Sequence, residues 1–141
     1  MKKILFALLP LLLLLGCSSS KYENVTADNG IVKIPISEVS DGHAHFYEMN
    51  EGGKTSKFFI LKSRDGVYRA AFDACDVCYP EKKGYSQKGD YMICNNCGQR
   101  FHSTKINVLR GGCNPSPLKR KYDDSYVYLN ASDIMKGSYY F

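Results

Sequence analysis

Hydrophobic positions follow two different patterns along the chain. Residues 4–15 form an unbroken apolar run behind Lys2 and Lys3, whereas the later apolar segments are short and separated by glycine and charged residues. The first run has the length of the apolar region of an export signal and is shorter than the roughly 20 residues that span a bilayer as a helix. The pattern therefore predicts that the chain leaves the cytoplasm.

The apolar run ends in the sequence Leu14-Leu15-Gly16-Cys17, which resembles a bacterial lipobox. The resemblance implies that residues 1–16 are a signal peptide and that Cys17 is acylated after cleavage. Two or three acyl chains hold a protein firmly at a membrane. We expect a lipid-anchored protein on the extracytoplasmic face of the cell membrane or the outer membrane. An ordinary signal peptide and an uncleaved anchor are the alternatives.

The segments after the export signal predict strands and no long helix. They are rich in β-branched and aromatic residues, in keeping with 11 tyrosines and 7 phenylalanines in the chain. The predicted strands cover residues 31–36, 44–49, 56–62, 67–72, 90–93, 105–109 and 125–129. Pro35 lacks an N–H for a strand ladder, so the first of them is expected at a sheet edge.

Two short segments of similar form, 37–42 and 132–137, each run from a serine that can cap a helical turn to a glycine that can end it. We expect both to be single-turn links between strands. The polar stretch 18–30 predicts a flexible tether. The chain is thus divided into a signal peptide (1–16), a lipidated N-terminus and tether (17–30), and one small all-β domain (31–141).

Charge and motif content exclude several classes of function. The formal net charge is +5, and removal of the signal peptide lowers it to +3 because Lys2 and Lys3 are lost. The basic residues form no stripe suited to nucleic acid. The sequence also lacks a convincing catalytic triad, carboxylate pair or phosphate-binding loop. Enzymatic activity is therefore uncertain, and a carrier or metal-binding protein is the better expectation.

Four cysteines have the spacing of a metal site: Cys75-x2-Cys78-x15-Cys94-x2-Cys97. Two such pairs can close on one metal, and a two-residue spacing lets backbone amides turn toward the sulfurs. Gly98 follows the second pair and can adopt the positive φ that closes such a turn. We predict these four cysteines as metal ligands.

Disulfides are the alternative in an exported chain. Five thiols remain once Cys17 is acylated, and five cannot all pair. A bridge within a two-residue spacing is typical of redox-active pairs, so a thiol–disulfide oxidoreductase stays open, although no βαβ pattern accompanies the cysteines.

Other residues lie close to the predicted ligands in sequence. Cys113, in a loop with two glycines and two prolines, is a possible near-site residue, and so is His102 beside the second pair. His43 and His45 would share one face of a strand, where solvent exposure is the simpler expectation.

The cysteine loops resemble those of Rieske iron–sulfur domains. The stretch Cys94-x2-Cys97-Gly98-Gln99-Arg100-Phe101 resembles the second Rieske cluster loop with cysteine in place of histidine, and GGCNPSPL at 111–118 resembles the third. The first loop departs from the Rieske pattern because it has Cys-x2-Cys. The resemblance implies a small Rieske-like β-sandwich or barrel.

A closer resemblance covers nearly the whole mature chain. The stretches IPISEVSDGHAHFY, AAFDACDVCYPEKKGYSQKGDYMICNNCGQRF and GGCNPSPL are similar to the FtrD-like membrane iron–sulfur protein family. The resemblance implies a membrane-attached, extracytoplasmic domain with a cysteine-bound iron–sulfur cluster. It also implies an electron-transfer role beside an iron-permease type of bacterial iron uptake system, with a permease or redox protein as partner.

The export signal leaves the identity of the metal open. Lys2-Lys3 indicates general export of an unfolded chain, which cannot carry a preassembled cluster, whereas a single ion can bind after export. An iron–sulfur cluster, zinc and mononuclear iron all remain candidates. With a cluster the protein is an electron carrier, and with zinc it is a binding or metal-handling module without redox activity.

Overall fold

The computed structural model describes residues 20–141. The predicted signal peptide and the acylation site at Cys17 lie outside the described residues. Within the described part of the chain, no helix is both long and apolar enough to cross a membrane.

The described chain forms ten strands, one α-helix and four 3-10 turns, so the prediction of a small all-β domain is confirmed. The strands are β1 (Glu23–Val25), β2 (Ile31–Pro35), β3 (His45–Glu51), β4 (Lys54–Lys62), β5 (Tyr68–Phe72), β6 (Tyr85–Lys88), β7 (Tyr91–Cys94), β8 (Arg100–His102), β9 (Lys121–Tyr122) and β10 (Tyr126–Asn130). The helix α1 spans Ala131–Lys136, and the 3-10 turns span Ile36–Glu38, Tyr79–Glu81, Ser103–Lys105 and Gly137–Tyr140.

The strands form three small sheets. Their orders are β1-β3-β4-β5, β2-β10-β9 and β6-β7-β8. All neighbouring strands are antiparallel except β1 and β3. The β2 strand lies at a sheet edge, as Pro35 predicts.

The four-stranded sheet separates two hydrophobic cores because β4 is buried on both faces. Phe58 and Ile60 point into the first core, whereas Phe59 and Leu61 point into the second. The first core also contains residues of β2, β10 and α1, and the second contains residues of β6 and β7. Cys75 and Cys94 belong to the second core, which therefore supports the candidate site.

Six of the seven predicted strands are confirmed, and the strand predicted at 105–109 is wrong. Residues 105–109 form turns in which Asn107 has a φ of +66°. The Asn107 side chain accepts a hydrogen bond from the N–H of Ala70 (2.8 Å) and donates to the carbonyl of the same residue. The segment thus completes the ladder of β5 with a side chain in place of a strand. The sequence pattern did not predict β1, β6, β8 or β9, which are only two to four residues long.

The N-terminal segment differs from the predicted tether over residues 20–30. Strand β1 pairs with β3, and Lys21 and Tyr22 both bond to the buried side chain of Asp73. Composition alone predicts a free chain here because a three-residue strand carries almost no hydrophobic pattern.

Both expected helical turns are present, but only the first links two strands. Neither Ser37 nor Ser132 caps its turn, because the N-cap residues are Pro35 and Asn130. The 3-10 turn at Ile36–Glu38 follows β2, and α1 follows β10 directly. Gly137 ends α1 with a φ of −83°, and a Cβ at this position would lie 2.1 Å from the Phe72 ring. Glycine is therefore required here because a side chain would clash with Phe72, and not because the backbone is left-handed.

Candidate metal centre

The first cysteine pair lies directly after β5. Cys75 is 1% exposed, and its Sγ accepts a hydrogen bond of 3.1 Å from the N–H of Cys78. The chain continues into the 3-10 turn at Tyr79–Glu81 and reverses at Lys82, where φ is +52°. This pair therefore closes without the glycine that follows the second pair.

The second pair occupies the turn between β7 and β8. Cys94 is the last residue of β7 and is 2% exposed, whereas Cys97 is exposed. The turn is held by two backbone bonds, from Gly98 N to Cys94 O (2.8 Å) and from Cys94 N to Gln99 O (3.0 Å). Gly98 has a φ of +75°, as the sequence predicts.

A third loop brings Cys113 to the two pairs. Gly111 and Gly112 have φ values of +83° and +59°, which turn the chain back toward the sheet. The hydroxyl of Tyr85 donates to the carbonyl of Cys113 (2.6 Å) and holds the loop against the second core. Cys113 is half-buried in this position.

The sulfurs of all five described cysteines converge in two overlapping groups of three. The first group contains Cys75, Cys78 and Cys94, and the second contains Cys78, Cys97 and Cys113. Within each group the sulfurs lie no more than 4.8 Å apart. For comparison, metal–sulfur bonds of about 2.3 Å in a tetrahedral site separate the ligand sulfurs by about 3.8 Å. The first group includes three of the four predicted ligands, and the fourth, Cys97, is joined to them through Cys78.

The pKa values of the cysteine thiols differ across the site. Desolvation raises the pKa of the Cys94 thiol to about 11 and also raises the pKa of Cys113. The pKa of Cys97 is lowered, chiefly because the N–H of Gln99 donates to its sulfur. A metal that binds Cys94 or Cys113 must therefore displace the proton of the thiol.

Polar side chains support the site from one side. Asp73 is fully buried, and its carboxylate accepts bonds of 2.6 Å each from Lys21 Nζ, the Tyr22 hydroxyl and the N–H of Tyr85. A cavity of about 360 Å³ lies beside this carboxylate and is also lined by Cys75, Cys78 and Cys94. Desolvation and a hydrogen bond with Cys75 raise the pKa of Tyr85, so it stays a neutral donor.

The C-terminus is also tied to the site. The hydroxyl of Tyr140 contacts Asp76 (2.6 Å), which lies inside the first pair, and Ser116 (2.9 Å) in the third loop. Sequence inspection missed Tyr140, Asp73, Lys21 and Tyr22 because nothing in their spacing relates them to the cysteines.

The histidines are not part of either sulfur group. His45 contacts Asp41 through its ring Nε2 (2.8 Å). His43 lies before β3, and its backbone N–H donates to the same carboxylate. His102 bonds to Thr104 through Nδ1 and packs edge-on against Tyr91. His102 therefore stays a prediction as a near-site residue, whereas Cys113 is brought to the cysteines.

The donor set suits a thiophilic metal. Thiolates select zinc and iron–sulfur clusters over hard cations such as magnesium. The buried sulfurs of Cys75 and Cys94 and the outer sulfurs of Cys78, Cys97 and Cys113 could hold one ion, or the two metal atoms of a small cluster. These residues therefore fit an iron–sulfur centre by their chemistry.

Of the comparisons with known proteins, the family match agrees with this donor set. No curated protein matches the sequence significantly. One similar solved structure is the quaternary ammonium Rieske monooxygenase CntA in complex with an inhibitor, at 15% identity and a TM-score of 0.47, covering 74% of this chain and 32% of that chain. The chain thus spans about a third of that protein. The model of the FtrD-like membrane iron–sulfur containing proteins matches residues 39–141, and the chain belongs to this family.

Proposed function

We propose that the protein is a lipid-anchored, extracytoplasmic electron carrier of a bacterial iron uptake system. Cys75, Cys78, Cys94 and Cys97 hold an iron–sulfur cluster, which supplies one-electron chemistry when bound. The convergence of these sulfurs, three of them within 4.8 Å of one another, carries the proposal. Membership in a family of membrane iron–sulfur containing proteins supports it.

The scaffold suits a carrier because regular secondary structure fixes the positions of the buried sulfurs. Cys94 is fixed by the β6–β7–β8 sheet, and Cys75 follows the buried strand β5. Rigid ligands keep the change in geometry between oxidised and reduced states small. The N–H that Cys78 directs at Cys75 Sγ stabilises thiolate charge and tunes the potential.

The N-terminal segment supports a position close to the membrane. Lys21 is four residues from Cys17, so a fully extended link reaches only about 14 Å. Lys21 is itself bonded to Asp73, two residues before Cys75. An acyl anchor on Cys17 would therefore hold the cysteine loops near the lipid surface, where an iron permease or a membrane redox protein could accept or donate electrons.

A zinc-stabilised binding module is the second candidate. Sulfurs less than 4.8 Å apart also suit a single ion, and Lys2-Lys3 indicates export of an unfolded chain. Zinc has no redox chemistry, so this protein would handle metal or bind a partner without carrying electrons.

The test is metal and sulfide analysis of residues 18–141, purified without air, together with a visible spectrum. The electron carrier predicts iron, acid-labile sulfide and a visible band that bleaches on reduction. A Cys94→Ala variant should lose the visible band. Cys17 does not contribute to the spectrum because residues 18–141 begin after it. One zinc per chain with neither colour nor sulfide would refute the carrier and leave the binding module.

The anchor is tested in cells with the full chain. Cys17→Ser should move the protein from the membrane fraction to the soluble fraction, and mass spectrometry of the wild type should show an acylated Cys17. Retention of the Cys17→Ser variant in the membrane without acylation would refute the lipid anchor.

A further inference from the structure

Cys113 occupies the same sulfur group as two of the proposed ligands. Its Sγ lies 3.6 Å from Cys78 Sγ, and both lie within 4.8 Å of the Cys97 sulfur. A disulfide has a sulfur–sulfur distance of about 2.05 Å, whereas two ligands of one tetrahedral metal are about 3.8 Å apart. The Cys78–Cys113 separation is therefore too long for a disulfide and suits two ligands on one metal atom.

The backbone holds Cys113 in this position. The segment that follows it pairs with β5 and its extension through bonds from Phe72 N to Ser116 O (2.8 Å) and from Ser116 N to Ala74 O (3.0 Å). A bridge between Ala71 and Pro117 continues this pairing. Backbone pairing thus joins the segment before Cys75 to the segment after Cys113. The distance between the two loops is therefore set by the backbone as well as by side-chain rotamers.

Side chains fix the loop from the other direction. The Tyr85 hydroxyl donates to the carbonyl of Cys113, and Asn114 Nδ2 donates to the carbonyl of Gly111 (3.0 Å). Tyr85 lies at the start of β6 and pairs with Cys94 across the ladder. The same residue therefore positions Cys113 and borders the second cysteine pair.

The two sulfur groups share Cys78 and differ in depth. Cys75 and Cys94 are buried on the inner side, whereas Cys97 is exposed and Cys113 is half-buried on the outer side. Five sulfurs exceed the four ligands of one tetrahedral metal. They match two metal positions, an inner one at Cys75 and Cys94 and an outer one at Cys97 and Cys113, with Cys78 in reach of both.

We infer that Cys113 is a fifth thiolate ligand and binds the outer metal atom of a two-metal centre together with Cys78 and Cys97. The inference rests on the metal centre proposed above. Each thiol that binds releases one proton as its sulfur–metal bond forms, and no electron is transferred in this step.

The first test is thiol protection in the purified, air-free protein of residues 18–141. Native protein is treated with iodoacetamide, and modified cysteines are identified by mass spectrometry before and after chelator treatment. Cys97 is exposed and Cys113 only half-buried, so protection of both reports ligation rather than burial. We expect all five thiols to be protected until the metal is removed. Modification of Cys113 alone at its metal-free rate, or a Cys78–Cys113 disulfide seen as a mass loss of two hydrogens, would overturn the inference.

The second test compares Cys113→Ala with Asn114→Ala. The alanine at 113 removes the thiol, whereas the alanine at 114 removes a bond within the same loop and leaves the thiol in place. We expect Cys113→Ala to release metal to a chelator about tenfold faster or more and to change the visible or electron paramagnetic resonance spectrum. Asn114→Ala should keep the wild-type spectrum.

The outcomes separate this inference from the proposed function. A wild-type protein without iron and sulfide contradicts the carrier. An iron–sulfur protein whose spectrum, metal content and release rate are unchanged in Cys113→Ala contradicts only the role of Cys113. One metal atom per chain with four protected thiols would also refute the two-metal centre.

Discussion

The hydrogen bonds that the buried Asp73 carboxylate accepts should contribute about 1–3 kcal/mol to stability. The carboxylate is fully buried and accepts three bonds of 2.6 Å, from Lys21, Tyr22 and the N–H of Tyr85. Asp73→Ala removes both acceptor oxygens and with them all three hydrogen bonds, and it leaves the buried N–H of Tyr85 unpaired. An unsatisfied buried group such as this N–H costs about 1–3 kcal/mol.

The contribution of the ion pair itself is smaller because Lys21 is 36% exposed. Solvent screens such a pair, and Lys21 keeps a second bond of 2.9 Å to the carbonyl of Tyr85. We therefore expect Lys21→Met to lower the free energy of unfolding by about 1 kcal/mol or less. Asp73→Ala should lower it by about 1–3 kcal/mol, which for a domain of this size is a fall of roughly 4–12 °C in Tm.

The assay is denaturant unfolding of residues 18–141 followed by circular dichroism, under reducing conditions and without metal. Asp73→Asn is the matched variant, since it keeps an oxygen for the Tyr85 N–H and should lie between the other two. A cost of less than about 1 kcal/mol for Asp73→Ala, or an equal cost for Lys21→Met, would refute the claim that the buried carboxylate organises this segment.

Three further predictions follow from local contacts. Gly84→Ala should destabilise strongly, because its φ is +62° and a Cβ would lie 2.5 Å from the buried carboxylate, whereas Gly89→Ala at φ +57° meets open space and should cost less in the same unfolding assay. A hydrogen bond from Ser63 is the main reason that the pKa of Asp65 is lowered to about 2. The ionised carboxylate therefore contributes stability above about pH 4, and this contribution is lost as the pH falls through about 2. Asp65→Asn should remove this part of the acid dependence of the free energy of unfolding. Tyr140→Phe removes bonds to the first cysteine pair and the third loop, so it should lower the free energy of unfolding by about 1–2 kcal/mol and speed metal loss to a chelator, and an unchanged release rate would contradict that link.

The hydrophobic pattern predicts the long strands because packing, which the pattern records, is what stabilises them. Strands β3, β4 and β5 each place aromatic or β-branched residues in a core, and all three were predicted. The short strands β1 and β9 are mostly exposed and depend on partners far away in sequence. The segment 105–109 has an apolar composition, but Ile106 is buried while Val108 and Leu109 are exposed, so its apolar residues do not mark a strand.

The candidate site was predictable only where spacing within a motif sets the geometry. The Cys75–Cys78 pair brings two sulfurs into one group through a local turn. Cys94 and Cys97 share the turn that Gly98 closes, although their sulfurs belong to different groups. Cys113 is joined to them by the pairing of its loop with β5, which no short-range pattern encodes. Its two preceding glycines indicated a tight turn but not the place to which that turn directs the thiol.

The burial of the sulfurs decides which side of the site a partner protein can approach. Cys75 and Cys94 are closed off by the second core, whereas Cys97 is exposed. Two of the loops that carry the cysteines also expose apolar side chains, Val77 at 61% and Leu109 at 49%. Single exposed apolar residues are common on protein surfaces, so the exposure of Cys97 is what indicates the side of approach. For the electron carrier proposed here, the outer sulfurs are therefore the route for exchange and the inner sulfurs are the anchor. Loss of Cys113, the proposed ligand that is half-buried on the outer side, should change the centre while the inner sulfurs keep it in the fold.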